Sequence, residues 1–374
     1  MLAQLALPAR RRSTRLVGAA LAMGGLAVAT VALPDAPLTS RAHAATNRTV
    51  GPGADLTAEL ERLRPGDTLL LAPGTYSTGS GPLSPDPATS ALPPGRKMAL
   101  GTATARITVR AADPRNRPLI VGEIKLWGPS YWTLDGLRVQ AVHAGKDALY
   151  IGGGRDWIVR NSEFSGANRT GAYSNVTFAN DIYSSAVPSR FAFTGNCVHD
   201  AGQSTAANRQ NTDHNIYVSY TGRAGSGGVI SRNIIFNHTN GTGIKLGNGG
   251  TVGAPGPWGV NVSYNTIAQG GRQVLLHGDV RNNSVTRNLF YRATEPFTTV
   301  NKTTSVYLNL VNGSGNYFAN NYAASSTMFS WGKTARMAGD NLVRSNPGFS
   351  STGCSGYRPT NTSAAPYGRY AVLR

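Results

Sequence analysis

The chain has 374 residues, with 36 Lys and Arg against 18 Asp and Glu and a formal net charge of +18. The basic residues are scattered, with Arg96-Lys97 the longest run after residue 44, and no nucleic-acid-binding motif is present. This pattern excludes nucleic acid as the expected partner. The positive charge instead favours an anionic polymer, which the field of the protein would concentrate near its surface, with solubility as the alternative reason for the charge.

The first 44 residues predict a secretory signal peptide. Arg10–Arg12 and Arg15 form a basic start, residues 16–33 are apolar, and Ala42-His43-Ala44 fits a cleavage site. The apolar stretch is long enough to be a membrane-span candidate, but its Ala and Gly content and the cleavage site favour removal. Ordinary and twin-arginine export both stay open. We therefore expect a secreted, extracellular protein with no membrane segment after signal removal.

Residues 45–105 predict an N-terminal cap followed by a long loop. A short amphipathic helix places Leu56, Leu60 and Leu63 on one face, and Arg-Pro-Gly-Asp at 64–67 ends it. Thr68–Leu71 is predicted to begin the first strand, and residues 77–105, rich in Gly, Pro and Ser, are predicted to form the loop. A stacked array needs such a cap over its end coil.

Residues 106–345 repeat one short phrase, in which apolar or β-branched residues precede an Asn and more apolar residues follow it. The repeated asparagines, spaced 35, 37, 32 and 23 residues apart, are Asn161, Asn196, Asn233, Asn265 and Asn288. A period of about 20–50 residues with short strand-like runs predicts stacked β-coils, because one coil cannot bury its apolar face alone. The repeated asparagines are expected to be structural, their amides bonding one another along the stack.

Residues 346–374 contain three prolines and Cys354 and predict an irregular C-terminal tail over the other end of the stack. Cys197 is the only other cysteine. In an exported chain a Cys197–Cys354 disulfide is the expected state, and it would clip the tail onto the coils. Two buried free thiols are the alternative, and the spacing shows no metal signature.

The opening phrase GADLTAELERLRPGDTLLLAPGTY and the closing phrase DNLVRSNPGFSSTGCSGYRPTNTSAAPYG resemble the cap and tail of the pectate-lyase-like group. The middle of the chain, with NCVHDAG and NTDHNIYVSYTG, is similar to secreted β-helix proteins with His-Asp-x-Gly and Asp-His-x-Ile-Tyr coils. The resemblance implies an all-β, right-handed parallel β-helix. It leaves the reaction open, because this fold hosts lyases, hydrolases, epimerases and non-catalytic adhesins. We expect a monomer that binds an anionic polysaccharide.

Strand alternation predicts a column of outward side chains on successive coils, about 4.8 Å apart. Ile216 and Val218 point inward in DHNIYVS, so Asn215 and Tyr217 are predicted to point outward, with His214 on the inward parity. Lys245 is expected beside Tyr217 one coil further on.

Further residues are expected around this column. Arg272 and His277 are predicted to flank the same face on the following coil, and Tyr150 and Thr177 to continue it in the other direction. Three residues in or beside the loop 199–213 are expected to overhang it, namely His199, Asp200 and Asp213.

This set of side chains suits cleavage of a uronate chain by β-elimination. Lys245 or His214 is the candidate base and Tyr217 the candidate acid, while Arg272 with Asn side chains such as Asn215 would hold the substrate carboxylate. Neighbouring cations would lower the pKa of a lysine base. Further substrate contacts are expected from His277, His199, Asp200 and Asp213.

The order Lys245 followed by HGDVRNNSVTRNLF is similar to alginate and chondroitin lyases of this fold, although Leu276 stands where they have an Arg. The sequence therefore favours a secreted polysaccharide lyase acting on an acidic glycan.

Three other functions stay open. Asn211-Thr212-Asp213 is similar to a polygalacturonase motif and allows a hydrolase, which needs two carboxylates. Asp213-His214 allows a C5-epimerase, which begins with the same proton abstraction, and a non-catalytic glycan-binding protein is the third alternative. No cofactor is expected. Calcium is the alternative, but the nearby carboxylates of Asp181, Asp200 and Asp213 are not closely spaced in sequence.

Overall fold

The computed structural model describes residues 43–83, 98–143, 145–167, 174–202, 213–248, 253–293, 304–309, 312–324, 327–330, 335–338 and 340–371. The predicted signal peptide lies outside these residues apart from its last two positions, as does much of the predicted loop. The described residues contain one short helix and otherwise strands, turns and bends. No helix among them is long and apolar enough to cross a membrane.

The helix is α1 (Leu56–Arg62). The strands of the first half are β1 (Asn47–Val50), β2 (Thr68–Leu71), β3 (Thr75–Leu83), β4 (Ile107–Ala111), β5 (Leu119–Trp127), β6 (Trp132–Asp135), β7 (Arg138–Gln140), β8 (Leu149–Gly152), β9 (Ile158–Arg160), β10 (Glu163–Ser165), β11 (Val176–Ala179), β12 (Ser189–Thr194), β13 (Cys197–Ala201) and β14 (Asp213–Val218). Those of the second half are β15 (Gly227–Ser231), β16 (Ile234–Gly247), β17 (Pro255–Trp258), β18 (Val260–Ser263), β19 (Thr266–His277), β20 (Asp279–Arg281), β21 (Ser284–Thr286), β22 (Leu289–Ala293), β23 (Thr304–Asn309), β24 (Asn316–Ala319), β25 (Tyr322–Ala324), β26 (Thr327–Ser330), β27 (Ala335–Ala338) and β28 (Leu342–Arg344).

The strands stack in three parallel columns, apart from β17 and β20, which pair with each other in a separate two-stranded sheet. Column 1 is an 11-stranded sheet in the order β1-β2-β4-β6-β9-β12-β15-β18-β21-β24-β27. The larger sheet holds column 2 and column 3, because β3, β5, β16 and β19 are long enough to run through both. The first part of β16 pairs with β13 in column 2, and its second part pairs with β14 in column 3. Every ladder within these columns is parallel, so the chain forms the expected parallel β-helix.

Rows of apolar side chains fill the interior between the columns. Ile216, Ile244, Val274 and Val306 lie in register on four successive coils of column 3 and are fully buried. Burying one such side chain stabilises the fold by about 1.5–3 kcal/mol. β-Branched residues fit these rows because their stiff side chains pack well on a pleated surface.

An asparagine ladder lines the corner between column 1 and column 2. The Asn233 backbone N–H donates to Asn265 Oδ1 at 3.0 Å, and the Asn265 N–H donates to Asn288 Oδ1 at 2.9 Å. The ladder extends from Asn196 to Asn321 and beyond, with the amides also bonding one another. The predicted structural role of these asparagines is confirmed, because they satisfy buried backbone groups where no strand can do so.

The first asparagine of the predicted series lies one residue off this ladder. Ser162, not Asn161, occupies the ladder position, and its N–H donates to Asn196 Oδ1. Asn161 instead has a positive φ of 52°, in common with the residues that precede several of the ladder asparagines, including Arg232 and Tyr264. A left-handed residue is needed there to turn the chain sharply from one column to the next.

The N-terminal segment differs in two ways from the prediction. β1 precedes α1 and pairs with β2, so Thr68–Leu71 is the second strand and not the first. β3 continues to Leu83 and pairs with β5, inside the stretch predicted to be loop. The helix itself is present, with Asp55 as its N-cap and Leu56, Leu60 and Leu63 in the apolar interior.

The C-terminal segment packs along the outer face of column 2 and not over the end of the stack. Tyr357 and Ala364 complete a second apolar cluster with Ile234, Leu289 and Tyr322, which are outward residues of that column. The disulfide is confirmed, with the Cα atoms of Cys197 and Cys354 at 5.4 Å. The tail is thereby fixed to the side of the coils, because column 2 presents apolar residues on its outer as well as its inner face.

Candidate functional site

Five residues of column 3 lie in register on successive coils and define the outward row: Lys125, Tyr150, Thr177, Tyr217 and Lys245. The predicted adjacency of Tyr217 and Lys245 is confirmed. Lys245 Nζ lies 4.7 Å from the centre of the Tyr217 ring, a distance at which the ring attracts the ammonium group. The flat ladder of parallel strands causes this contact, because residues distant in sequence fall about 4.8 Å apart along a column.

The alternation of side chains breaks just before Ile216, at the corner where column 3 begins. Asn215 was predicted to point outward, but it is fully buried and accepts a hydrogen bond from Asn175 Nδ2 at 2.8 Å. Its own amide donates to Phe236 O at 2.8 Å. This prediction was wrong, because the side-chain amide of Asn215 is used in hydrogen bonds to buried groups at the corner. Asn215 is therefore not part of the proposed site.

The break brings His214 beside the outward row instead of into the apolar interior. Its ring centre lies 5.3 Å from that of Tyr217, although its parity predicted an inward direction. His214, Thr242 and Arg272 are register neighbours on three successive coils. Arg272 is also nearly buried, and its charge acts on both His214 and Lys245. The structure therefore groups Tyr217, Lys245, His214 and Arg272.

The tautomer of His214 follows from its hydrogen bond. The Thr242 backbone N–H donates to His214 Nδ1 at 3.1 Å, so the proton of the neutral imidazole belongs on Nε2. Burial, with the positive charges of Lys245 and Arg272, holds the pKa of His214 well below its usual value. His214 is consequently neutral at ordinary pH and presents a donor rather than a free basic nitrogen.

Lys245 has the electrostatic character of a general base. Its side chain is 9% exposed, and burial, followed by repulsion from Arg272, lowers its pKa from 10.5 to about 8. A lysine with such a pKa is partly neutral near pH 8 and has a lone pair available for proton abstraction.

Two further predicted residues are nearly buried around this group. Asp213 is the first residue of β14 and His277 the last of β19, in register with Gly247. Leu275 follows Lys245 on the next coil and is fully buried, although it lies in register with the outward row. The outward row is therefore covered immediately beyond Lys245, whereas Tyr217 on its other side is partly exposed.

His199 and Asp200 lie elsewhere. They belong to β13 in column 2 and not to a loop over column 3, so the structure does not bring them to Lys245. His199 Nδ1 is 2.8 Å from Asp200 Oδ2, and its Nε2 is 3.6 Å from Glu163 Oε1. Burial alone would lower the pKa of His199, but these two carboxylates outweigh it and raise the pKa to about 9. The remainder of the loop, residues 203–212, lies outside the described residues.

Sequence reasoning missed a buried acidic pair next to the outward row. Glu123 and Asp147 are 3% and 2% exposed. Burial, with the neighbouring Glu123, raises the pKa of Asp147 to about 8, so the pair holds fewer than two negative charges near neutral pH. The only signal was an acidic residue in each of two predicted strands, LIVGEIKLW and DALYIGG.

The three carboxylates considered for calcium do not come together. Asp181 binds its own turn through the Tyr183 N–H, Asp200 binds His199, and Asp213 lies buried at the start of β14. Within the described ranges, one group of three His, Cys, Asp or Glu residues has its ligand atoms within 4.8 Å, namely Cys197, His199 and Cys354. Both of its sulfurs are in the disulfide. These residues do not fit a calcium site, and we derive no step through a metal.

No protein-family model matches the chain, and no curated protein sequence matches it. Among solved structures it is similar to an alginate lyase from Paenibacillus sp. str. FPU-7, at 16% identity and a TM-score of 0.49, over 78% of this chain and 99% of that one. Pectate lyase Pel9A is similar at 15% identity and a TM-score of 0.46, over 88% and 87%. A mannuronic acid specific polysaccharide family 6 lyase enzyme from human gut microbiota is similar at 14% identity and a TM-score of 0.43, over 75% of this chain and 65% of that one. Similarities this distant carry no information on the reaction, and the fold rests on the strand pairings above.

Proposed function

We propose that the protein is a polysaccharide lyase that cleaves a uronate-containing glycan by β-elimination. The observation that carries this proposal is Lys245, a nearly buried lysine with a pKa of about 8 that lies against the Tyr217 ring. Buried lysines are costly, and a perturbed lysine on the outer side of a column favours a catalytic role. The same proposal places the protein outside the cell, which the Cys197–Cys354 disulfide supports.

The residues around Lys245 divide the reaction between them. Arg272 pairs with the uronate carboxylate and makes the adjacent C5–H bond more acidic. Neutral Lys245 takes the C5 proton, and the electron pair of that bond forms the C4–C5 double bond as the C4–O bond breaks. Tyr217 donates its hydroxyl proton to the leaving oxygen. Lys245 then returns its proton to the tyrosinate, so the enzyme ends in its starting state.

His214 serves as a positioning residue in this scheme and not as the base. Its Nδ1 already accepts the Thr242 N–H, so abstraction by His214 would require breaking that bond. Its neutral Nε2–H is a donor beside Tyr217 and can hold the substrate or the tyrosine oxygen in place. The hydrogen bond from the Thr242 backbone amide therefore distinguishes the two candidate bases, because it occupies the basic nitrogen of His214 and not that of Lys245.

Incubation of the secreted chain with a panel of polyuronates tests the proposal, with near-ultraviolet absorbance of the new double bond as the readout. We expect activity to rise with pH through about 8, as Lys245 loses its proton, and to disappear in Lys245→Ala. His214→Gln should keep measurable activity.

Other outcomes identify the alternatives. New reducing ends without absorbance would identify a hydrolase, and inversion at C5 without cleavage would identify an epimerase. Binding with no chemistry on any polyuronate would identify a glycan-binding protein and reject the lyase.

A further inference from the structure

The outward row carries a second lysine over a second tyrosine. Lys125 Nζ lies 4.6 Å from the centre of the Tyr150 ring, which nearly matches the 4.7 Å between Lys245 and Tyr217. Lys125 and Tyr150 are register neighbours, as are Tyr217 and Lys245, and Thr177 lies between the two pairs. Four register steps separate the two lysines, a distance of roughly 19 Å along the column.

Two aromatic rings lie within reach of Lys125, whose charge also acts on the buried carboxyls of Glu123 and Asp147. The Lys125 ammonium lies 5.1 Å from the Trp127 ring centre, and Trp127 packs edge-on against Tyr150 at 5.1 Å and Tyr183 at 5.4 Å. Tyr183 projects from a turn that Asp181 holds, since its Oδ1 accepts the Tyr183 N–H at 2.9 Å. An aromatic side chain that is already held by packing or by a hydrogen-bonded turn is suited to stacking on a sugar ring, because binding then costs little further side-chain entropy.

Exposed apolar area accumulates at the same place. Within the part of the chain that the structure describes, four large apolar side chains are exposed, and two of them are the neighbours Ile182 and Tyr183, at 64% and 37%. Lys125 and Tyr150 beside them are partly exposed. A cation flanked by exposed aromatic and apolar side chains is typical of a ligand-binding surface.

The direction of the row links this surface to the candidate active site. Leu275 covers the row directly beyond Lys245, whereas Tyr217, Tyr150 and Lys125 are partly exposed on the other side. Thr177, between Tyr217 and Tyr150, is nearly buried, so a chain bound at Lys245 would cross one covered position before it reaches the partly exposed Tyr150 and Lys125. We propose that Lys125, Tyr150 and Tyr183 form a distal subsite that binds a second acidic sugar of the same glycan, its carboxylate on Lys125 and its ring on Tyr183. This inference rests on the proposed function for the identity of the glycan.

The test compares long and short substrates. Lys125→Gln and Tyr183→Ala should each raise KM for a polyuronate by about fivefold with kcat unchanged, because they remove one exposed charge contact or one stacking contact. The shortest oligouronates that are cleaved should show no change in kcat/KM. Arg110→Gln, which removes an exposed cation from column 1, is the matched control. It should change neither KM for the polyuronate nor kcat/KM for the short oligouronates. Equal losses on long and short substrates, or no loss in either variant, would overturn the subsite.

A binding measurement separates failure of the subsite from failure of the lyase. Calorimetric titration of the folded wild-type protein with size-graded oligouronates should show affinity that increases with length, and Lys125→Gln should reduce the affinity for the long oligouronates by about fivefold without changing that for the short ones. That result supports the subsite even if no double bond forms. Affinity independent of length in the wild type rejects the subsite even if cleavage occurs.

Discussion

The replacement Lys245→Met should stabilise the protein at neutral pH while abolishing cleavage. Lowering a lysine pKa from 10.5 to about 8 means that the folded protein disfavours the charged form by about 3 kcal/mol, at about 1.4 kcal/mol per pH unit. Met keeps the apolar length of the side chain and removes the charge. The lost attraction to the Tyr217 ring offsets about 1–2 kcal/mol of this, so we expect a net gain of about 1–2 kcal/mol at pH 7.

The pH dependence gives this prediction its sign. Between about pH 8 and 10.5 the unfolded chain keeps the Lys245 proton and the folded chain does not, so the free energy of unfolding of the wild type rises with pH in this window. The free-energy cost of burying the charged Lys245 is fully present below pH 8 and is no longer present above pH 10.5. The advantage of Lys245→Met should therefore shrink as pH rises from 8 to 10.5.

Urea denaturation of both proteins at a series of pH values measures this difference. Lys125→Met is the matched control, since Lys125 also lies over a tyrosine ring but is more exposed, and it should stabilise the protein less. A Lys245→Met protein that is less stable than the wild type at pH 7, or a difference that stays constant with pH, would refute the electrostatic argument for the site.

Tyr217→Phe keeps the ring beside Lys245 but removes the candidate acid, so kcat should fall by about 10²–10⁴ with an unchanged thermal midpoint, and full activity would exclude Tyr217 as the acid. Asn265→Ala removes the partner of two buried backbone groups of the preceding coil, the Asn233 N–H and the Ile230 carbonyl, and should cost about 2–4 kcal/mol in a denaturant titration. The exposed Asn261→Ala on β18 should cost little, and equal losses would contradict the ladder argument. Cys354→Ser should cost about 2–5 kcal/mol, and reduction of the wild type should reproduce that loss; an unchanged midpoint in both would show that packing alone holds the tail.

The recurrence of the asparagine phrase was sufficient to predict stacked β-coils, because equivalent residues of successive repeats fall in stacked positions, and the resemblance of the cap and tail phrases implied the parallel β-helix. It also predicted that Tyr217 and Lys245 would be neighbours, since both lie in strands of clear alternation. The prediction failed at the corners. Asn161 was assigned to the ladder position of Ser162, and Asn215 was assigned to the surface, because a corner residue can shift or break the alternation without any mark in the sequence.

The sequence by itself determined the stacked coils, the asparagine ladder and the pairing of Tyr217 with Lys245, because each follows from periodicity and local alternation. Only the tertiary structure decided which side chains surround Lys245 and how deeply it is buried, and burial is the main cause of its lowered pKa. It also moved His199 away to column 2 and laid the tail along that column. These properties depend on the backbone conformation at the corners between columns and on which segments cover the outer face of each column. Neither can be read from the sequence of a single repeat.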